Sequence, residues 1–139
     1  MKDVSYGIIP YLFNKGGISI MASKCSKKSD VYSFIKGKID YGETEKECCK
    51  REVKEEIGID IDTYDLEDLF FQKNPKKDVG LYLINWDKYS KYEFQLDTSE
   101  IYSLEWFNIR ELPNIAKNQR LILTDLLVKF SKMDFHQKI

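Results

Sequence analysis

Three glutamates, Glu52, Glu55 and Glu56, have the spacing in this chain that most directly indicates chemistry. On an α-helix, positions i, i+3 and i+4 are neighbours, so the three carboxylates project from one side. Like charges at this distance repel, by roughly 4 kcal/mol for a partly buried pair 4 Å apart at an effective dielectric constant of 20. Taken alone, such a cluster is either a solvated acidic face or a site for a divalent cation. Ligation by oxygen alone favours Mg²⁺ or Mn²⁺, which also accept phosphate oxygens.

The helix that carries these glutamates is marked by sequence signals at both ends. Thr44, with Glu47 three residues later, forms the pairing of a capping box. Gly58 fits the left-handed position that ends a helix. These signals predict a helix from about Glu45 to Ile57. Its apolar stripe, which should face a core, consists of Cys49, Val53 and Ile57.

The stretch around this helix, residues 37–59, resembles the Nudix box without a departure. The matching positions are Gly37, Glu43, Arg51, Glu52, Val53, Glu55, Glu56, Gly58 and Ile59. The resemblance implies that Glu52, Glu55 and Glu56 serve the metal and that Glu55 takes part in catalysis. It also implies that Arg51 and Glu43 form an orienting ion pair and that Gly37 lends its backbone carbonyl to the metal site.

Two stretches outside the box resemble mRNA-decapping Nudix enzymes. Residues 32–39 are similar to the segment that leads into their box, in which Lys-Gly-Lys follows Phe-Pro, although this chain has Tyr32 and Ile35 where that pattern has Trp and Pro. Residues 100–113 are similar to their Glu-Ile, Glu-Trp-Phe, Leu-Pro stretch. This resemblance implies that Glu100 supplies a metal ligand or general base from outside the box.

Lysines and aromatic residues near the glycine turn are candidates for substrate binding. Lysines can hold a polyphosphate or an RNA backbone beside the metal, and aromatic rings can stack on a base. The lysines are Lys36 and Lys38, which flank Gly37, and Lys24, Lys27 and Lys28 on the preceding loop. The aromatic candidates are Tyr32, Phe34 and Tyr41. The three loop lysines are equally explained as a solubilising surface, and most aromatics in so small a domain belong to the core.

Alternating and apolar runs predict the elements that must position this site. The predicted strands span residues 4–13, 18–25, 31–35, 66–72, 79–86 and 101–107. Pro10 should mark a bulge or a strand edge. A second helix is predicted over residues 114–132, opened by Pro113. This order gives an α+β fold, and it agrees with the Nudix fold, a mixed β-sheet sandwiched between helices.

Length and composition limit the class of protein. The chain has 139 residues, so we expect a single Nudix hydrolase domain over residues 1–139, beginning at the first strand and without the helical regulatory domain of eukaryotic decapping enzymes. Its 22 basic and 23 acidic residues give no overall basic footprint for nucleic acid. Neither a membrane-spanning segment nor a secretory signal is evident, which predicts a cytoplasmic protein with reduced cysteines.

These features predict a Mg²⁺- or Mn²⁺-dependent Nudix pyrophosphohydrolase, in which water attacks a phosphorus of a nucleoside diphosphate linkage. The expected substrate is a nucleotide or capped RNA, with the 5′ cap of mRNA first and 7-methylguanosine diphosphate as the product. An alternative is a hydrolase of dinucleoside polyphosphates or free nucleotides. A second alternative is a non-catalytic nucleotide- or RNA-binding Nudix module, which usually has a damaged box. The sequence identifies no regulatory protein partner.

Overall fold

The computed structural model describes residues 2–137, in which the chain forms one sheet and two α-helices. The strands are β1 (Asp3–Asn14), β2 (Gly17–Lys24), β3 (Ile35–Lys38), β4 (Leu66–Gln72), β5 (Lys77–Asn85) and β6 (Ser103–Asn108). The helices are α1 (Glu45–Ile57) and α2 (Ile122–Gln137). Single 3₁₀ turns at Thr63–Asp65 and Asp87–Tyr89 follow α1 and β5.

The sheet is mixed, with the strand order β4-β5-β1-β2-β6. Strand β1 pairs in parallel with β5, and its other edge pairs first with β3 through residues 5–8 and then with β2 through residues 11–14. Pro10 lies between these two paired segments. A residue without an N–H is tolerated at such a local edge, as predicted.

Each face of the sheet carries a hydrophobic core covered by one helix. On one face, α1 contributes Cys48, Cys49, Val53 and Ile57 to a cluster that includes residues of β1 and β5. On the other face, α2 contributes Ile122, Leu126 and Phe130. The predicted α+β fold with a mixed sheet between helices is therefore confirmed.

Helix α1 begins and ends where the sequence predicts. The Thr44 hydroxyl accepts from the Glu47 N–H at 3.1 Å, and the Glu47 carboxylate accepts from the Thr44 N–H at 2.8 Å. At the other end Gly58 adopts φ 74°, and its N–H donates to the Lys54 carbonyl at 3.0 Å. Both ends are thus fixed by contacts within three or four residues.

The strand predicted over residues 31–35 is displaced. Tyr32 and Ser33 form only isolated bridges, and the regular strand β3 begins at Ile35 and continues through Gly37 to Lys38. The strand is displaced because residues 35–38, rather than residues 31–35, pair with residues 5–8 of β1. The glycine turn of the box is therefore part of the sheet rather than a loop.

The predicted start of the second helix is also wrong. It begins at Ile122 instead of near residue 114. The Asn114 carbonyl accepts from the Tyr32 N–H, and the Ala116 N–H donates to the Tyr32 carbonyl, both at 2.8 Å. These bonds to a distant segment engage backbone groups that a helix would need, so residues 117–121 form turns and the helix starts after them.

Two further expectations concern cysteines and membranes. Cys25 is exposed, Cys48 and Cys49 are buried, and all three are free thiols. Over residues 2–137, neither helix has the length and apolar character needed to cross a bilayer.

Candidate active site

A cleft of about 400 Å³ collects most of the residues predicted to do chemistry. Helix α1 forms one wall, β3 and β1 form the floor, and the loop before β6 closes the far side. The lining residues are Ser5, Lys36, Gly37, Glu52, Glu55, Glu56, Lys77, Asp97 and Glu100. The cleft therefore brings together all three helix glutamates, the glycine, one predicted substrate lysine and the glutamate from outside the box.

Glu56 is the most perturbed acid in the cleft. Its Oε2 is buried and has no hydrogen-bond partner. Burial, followed by the negative charges of Glu52 and Glu100, raises the pKa of Glu56 from its ordinary 4.5 to about 8, against the opposing charge of Lys36. A buried carboxylate oxygen without a donor is a costly arrangement that a cation would relieve.

Glu52 lies directly against the backbone of Gly37. A Cβ at residue 37 would lie 2.0 Å from the Glu52 carboxyl carbon, so only glycine permits this approach. The Gly37 carbonyl accepts a hydrogen bond from the Cys48 thiol at 3.4 Å. Burial raises the pKa of Glu52, while the hydrogen bond and charge of Arg51 oppose the rise.

Arg51 connects the acidic residues on the outer side of the cleft. Its Nε and Nη2 donate to the two oxygens of Glu43 at 2.6 and 3.0 Å, so the ion pair expected from the resemblance is present as a bidentate contact. The hydrogen bond from Arg51 lowers the pKa of Glu43. Nη1 donates to Glu52 Oε1 at 2.8 Å and to Glu55 Oε2 at 3.3 Å. Nη2 also donates to the Lys38 carbonyl at 3.0 Å, which fixes the guanidinium to the end of β3.

The loop before β6 is attached to the end of α1, and this attachment delivers Glu100 to the cleft. The Asp97 N–H donates to the Glu56 carbonyl at 2.8 Å, and the Asp97 carbonyl accepts from the Glu100 N–H at 2.9 Å. The Asp97 carboxylate accepts from the Ser99 hydroxyl at 2.6 Å. Sequence reasoning missed Asp97, although Asp-Thr-Ser is the composition of a local turn capped by a side chain.

Two lysines face the carboxylates across the cleft. Burial and the nearby Lys77 lower the pKa of Lys36, and the carboxylates of Glu56 and Glu52 oppose the change. The sequence placed Lys77 in a turn with no functional signal; the parallel pairing of β1 with β5 brings it here. Five carboxylates against two ammonium groups leave the cleft acidic, so an anionic substrate needs additional positive charge.

The fit of a divalent cation can be tested on these donors. Among residues 2–132, whose side chains the structure describes, no group of three or more His, Cys, Asp or Glu side chains converges closely enough to hold a metal ion. One oxygen of Glu52 and one of Glu55 instead accept from Arg51. The donor set nevertheless fits Mg²⁺ or Mn²⁺, because it is made of carboxylates on one helix face and includes the buried, unpartnered Oε2 of Glu56.

A second cavity of about 360 Å³ adjoins the cleft. It shares Lys36, Glu56 and Glu100 with the cleft and extends toward the loop after β2. Its other lining residues are Ser23, Cys25, Ser29, Val31, Ser33, Phe34, Ile101 and Ala116. A linear substrate can therefore place its phosphates in the cleft and an attached group in this cavity.

Of the five candidate lysines, Lys36 alone lines the cleft, and the surroundings of Lys38 and Lys24 show what engages two of the others. The Lys38 ammonium is exposed and lies 3.3 Å from the Asp3 carboxylate. The Lys24 ammonium lies over the rings of Tyr32 and Tyr102, at 5.8 and 5.7 Å from their centroids. Neither lysine lines the cleft that holds the helix glutamates.

The three predicted stacking residues have different surroundings. Tyr32 packs edge-on against Phe107, and its hydroxyl donates to Glu105. Tyr41 is fully exposed on the turn before α1 and does not line the cleft. Phe34 is only 2% exposed and packs in the core under α2, and it also lines the second cavity, so its contact with a base stays a prediction.

The chain is similar to a known protein family and to two enzymes named for capped RNA. The family model described as NUDIX domain matches residues 1–126. The chain is 36% identical over 87 residues to the mRNA-decapping enzyme subunit 2 of Saccharomyces cerevisiae (strain YJM789), which covers 61% of this chain and 9% of that protein. It is 30% identical over 98 residues to the NAD-capped RNA hydrolase NudC of Vibrio atlanticus, which covers 70% of this chain and 35% of that protein. The chain thus spans well under two thirds of the length of these relatives.

Solved structures share the fold over most of the chain. The C. elegans Ap4A hydrolase in a binary complex superposes with a TM-score of 0.63 at 23% identity, covering 94% of this chain and 96% of that one. A MutT NUDIX hydrolase from Burkholderia pseudomallei superposes with a TM-score of 0.62 at 20% identity, covering 89% of this chain and 97% of that one. At these identities the likeness shows the fold alone.

Proposed function

The chain belongs to the NUDIX domain family, and from this premise we propose that it is a divalent-metal-dependent pyrophosphohydrolase that cleaves the 5′ cap of RNA. The observation that carries the proposal is the buried, unpartnered carboxylate oxygen of Glu56 in a cleft shared with Glu52, Glu55 and Glu100. In this proposal residues 1–139 form one catalytic domain, and the box at 37–59 supplies its centre.

The proposed metal ligands are the carboxylates of Glu52, Glu55, Glu56 and Glu100, with the backbone carbonyl of Gly37. When bound, Mg²⁺ or Mn²⁺ neutralises phosphate charge and lowers the pKa of a water molecule. Burial and the neighbouring carboxylates raise the pKa of Glu56, and a cation held there would favour its ionised form.

The remaining steps use the side chains of this protein. Lys36 and Lys77 neutralise diphosphate oxygens from the side of the cleft opposite α1. Glu55 and Glu100 are both exposed at the cleft, where a carboxylate can accept the proton of the attacking water. Arg51, held by Glu43, keeps the carboxylates of Glu52 and Glu55 on the cleft side of the helix.

Capped RNA is the substrate class that the named relatives support. One of them is named an mRNA-decapping enzyme subunit and the other an NAD-capped RNA hydrolase, so both names refer to the cap of an RNA. The stretches at residues 32–39 and 100–113 favour the mRNA cap, with 7-methylguanosine diphosphate as the product. The likeness to NudC makes an NAD cap the second candidate.

The proposal is tested by a side-by-side assay with Mg²⁺ and with Mn²⁺. The substrates are RNA labelled in a 7-methylguanosine cap, NAD-capped RNA of the same sequence, and diadenosine tetraphosphate. We expect release of 7-methylguanosine diphosphate with the highest kcat/KM, and loss of that release in Glu56→Gln. Preference for diadenosine tetraphosphate would assign the chain to dinucleoside polyphosphates, and binding of capped RNA without any hydrolysis would make it a binding module.

A further inference from the structure

Ser5 of β1 is a buried polar residue in the cleft that lies outside the box. Its side chain is completely buried, and its Oγ has no hydrogen-bond partner. Among the side chains that the structure describes, those of residues 2–132, the one other buried oxygen or nitrogen without a partner is Oε2 of Glu56, a residue that lines the same cleft. An unpartnered buried hydroxyl is unfavourable, so the two atoms together indicate a group that belongs between them.

The backbone around Ser5 does not explain the serine. Residue 5 is paired with Lys38 on β3 and with Val79 on β5, so its strand position is fixed by the ladders on both sides. Such a central strand position is ordinarily filled by an apolar side chain, as at Ile8 and Ile9 further along β1. A serine without a hydrogen-bond partner therefore makes the folded protein less stable than an apolar residue would at this position.

The missing group must satisfy both atoms at once. Ser5 Oγ and Glu56 Oε2 are not hydrogen-bonded to each other or to any other group, and both residues line the cleft. A carboxylate attracts a cation, whereas a hydroxyl oxygen accepts a hydrogen bond from a polarised water. Water on a divalent cation meets both requirements, because Mg²⁺ and Mn²⁺ keep several waters when carboxylates bind them.

We propose that Ser5 is a positioning residue of the cation site: its Oγ accepts a hydrogen bond from a water coordinated to the divalent cation that Glu56 holds. The inference rests on the proposed function, since it requires that cation. Partners of this kind orient bound water and ligands, and their removal typically weakens metal affinity 10- to 100-fold. Ser5 thus lowers the stability of the metal-free protein and raises its affinity for the cation.

The test is Ser5→Ala, with Mn²⁺ binding measured directly from the electron paramagnetic resonance signal of free Mn²⁺. We expect a Kd about 10-fold weaker than in the wild-type chain. In EDTA the thermal midpoint should stay the same or rise, because the variant buries no unpartnered hydroxyl. A merely structural serine would give the opposite pattern, a lower midpoint with an unchanged Kd, and that result would overturn the inference.

Ser19 is a matched control on the neighbouring strand. It is also buried, but its hydroxyl accepts from Asn14 at 2.8 Å, and it does not line the cleft. Ser19→Ala should lower the thermal midpoint and leave Mn²⁺ binding unchanged. Ser5→Cys keeps nearly the volume of serine with a weak acceptor, so it carries the same comparison if Ser5→Ala folds poorly.

The same titration separates this inference from the function on which it rests. Glu56→Gln should lose most Mn²⁺ binding. If Glu56→Gln binds Mn²⁺ like the wild-type chain, the cation site and the role of Ser5 both fail. If Glu56→Gln loses Mn²⁺ while Ser5→Ala keeps its Kd within twofold, only the role of Ser5 is overturned.

Discussion

Replacing Glu56 by glutamine gives the sharpest test of the cleft chemistry. The substitution keeps the size of the side chain and its burial at the end of α1, and it removes one negative charge. In the metal-free protein the pKa of Glu56 is about 8, against an ordinary value of 4.5. The variant therefore changes two measurable quantities, the pH dependence of stability and the rate of hydrolysis.

The sign of the stability effect follows from the raised pKa. Between pH 4.5 and 8 the folded state holds a proton that the unfolded state has released, so the free energy of unfolding falls as pH rises. The slope is at most about 1.4 kcal/mol per pH unit, and the residual solvent contact of the carboxylate reduces it. Glutamine does not titrate, so the variant lacks this contribution and at pH 8 is at least as stable as the wild-type chain.

Glu56→Gln should slow hydrolysis even though it does not lower stability at pH 8. A catalytic cation supplies several kcal/mol of charge stabilisation, and about 1.4 kcal/mol corresponds to a factor of ten in rate. Loss of a ligand as central as Glu56 should lower turnover by at least about 100-fold. Initial rates are measured with Mg²⁺ and Mn²⁺, and urea unfolding is followed in EDTA at pH 5, 6.5 and 8. Glu111→Gln, at an exposed glutamate away from the cleft, is the control.

Two results would refute the reasoning. Near-normal turnover of Glu56→Gln would remove Glu56 from the proposed metal ligands. A wild-type slope of unfolding free energy against pH in the variant would show that another group, rather than Glu56, titrates in this range.

Three further substitutions test separate parts of the site. Gly37→Ala should lower kcat/KM at least about 10-fold with little change in the thermal midpoint, because the new Cβ displaces the flexible end of Glu52 rather than backbone; an unchanged kcat/KM would contradict the close approach. Thr44→Ala should lower the free energy of unfolding by about 1 kcal/mol in urea while leaving the activity of the folded protein intact, since it removes the helix cap alone. Arg51→Lys keeps the charge but loses the bidentate contact with Glu43, so kcat/KM should fall about 10-fold, and full activity would show that charge alone suffices.

Local sequence determined helix α1 and its acidic face. The capping contacts of Thr44 and Glu47 and the left-handed Gly58 lie within a few residues of one another, so they act the same way in any fold. Helix geometry alone then places Glu52, Glu55 and Glu56 on one side. Apolar runs likewise predicted most strands, and the order of the elements, together with the resemblance to the Nudix fold, predicted the mixed sheet.

Predictions failed where a distant segment competed for the backbone. The bonds between Tyr32 and residues 114–116 delay the second helix to Ile122, and the edge of β1 moves the third strand to residues 35–38. None of these partners lies within the window that a periodicity argument covers.

Tertiary structure alone completed the site. Attachment of the Asp97 loop to α1 brings Glu100 near Glu56, and the parallel pairing of β1 with β5 brings Lys77 and Ser5 into the same cleft. The sequence could name the helix carboxylates because their neighbours are fixed by the rise and turn of one helix. It could not name Ser5 or Lys77, because which distant residues they meet depends on strand register, and register is set only when the whole sheet packs.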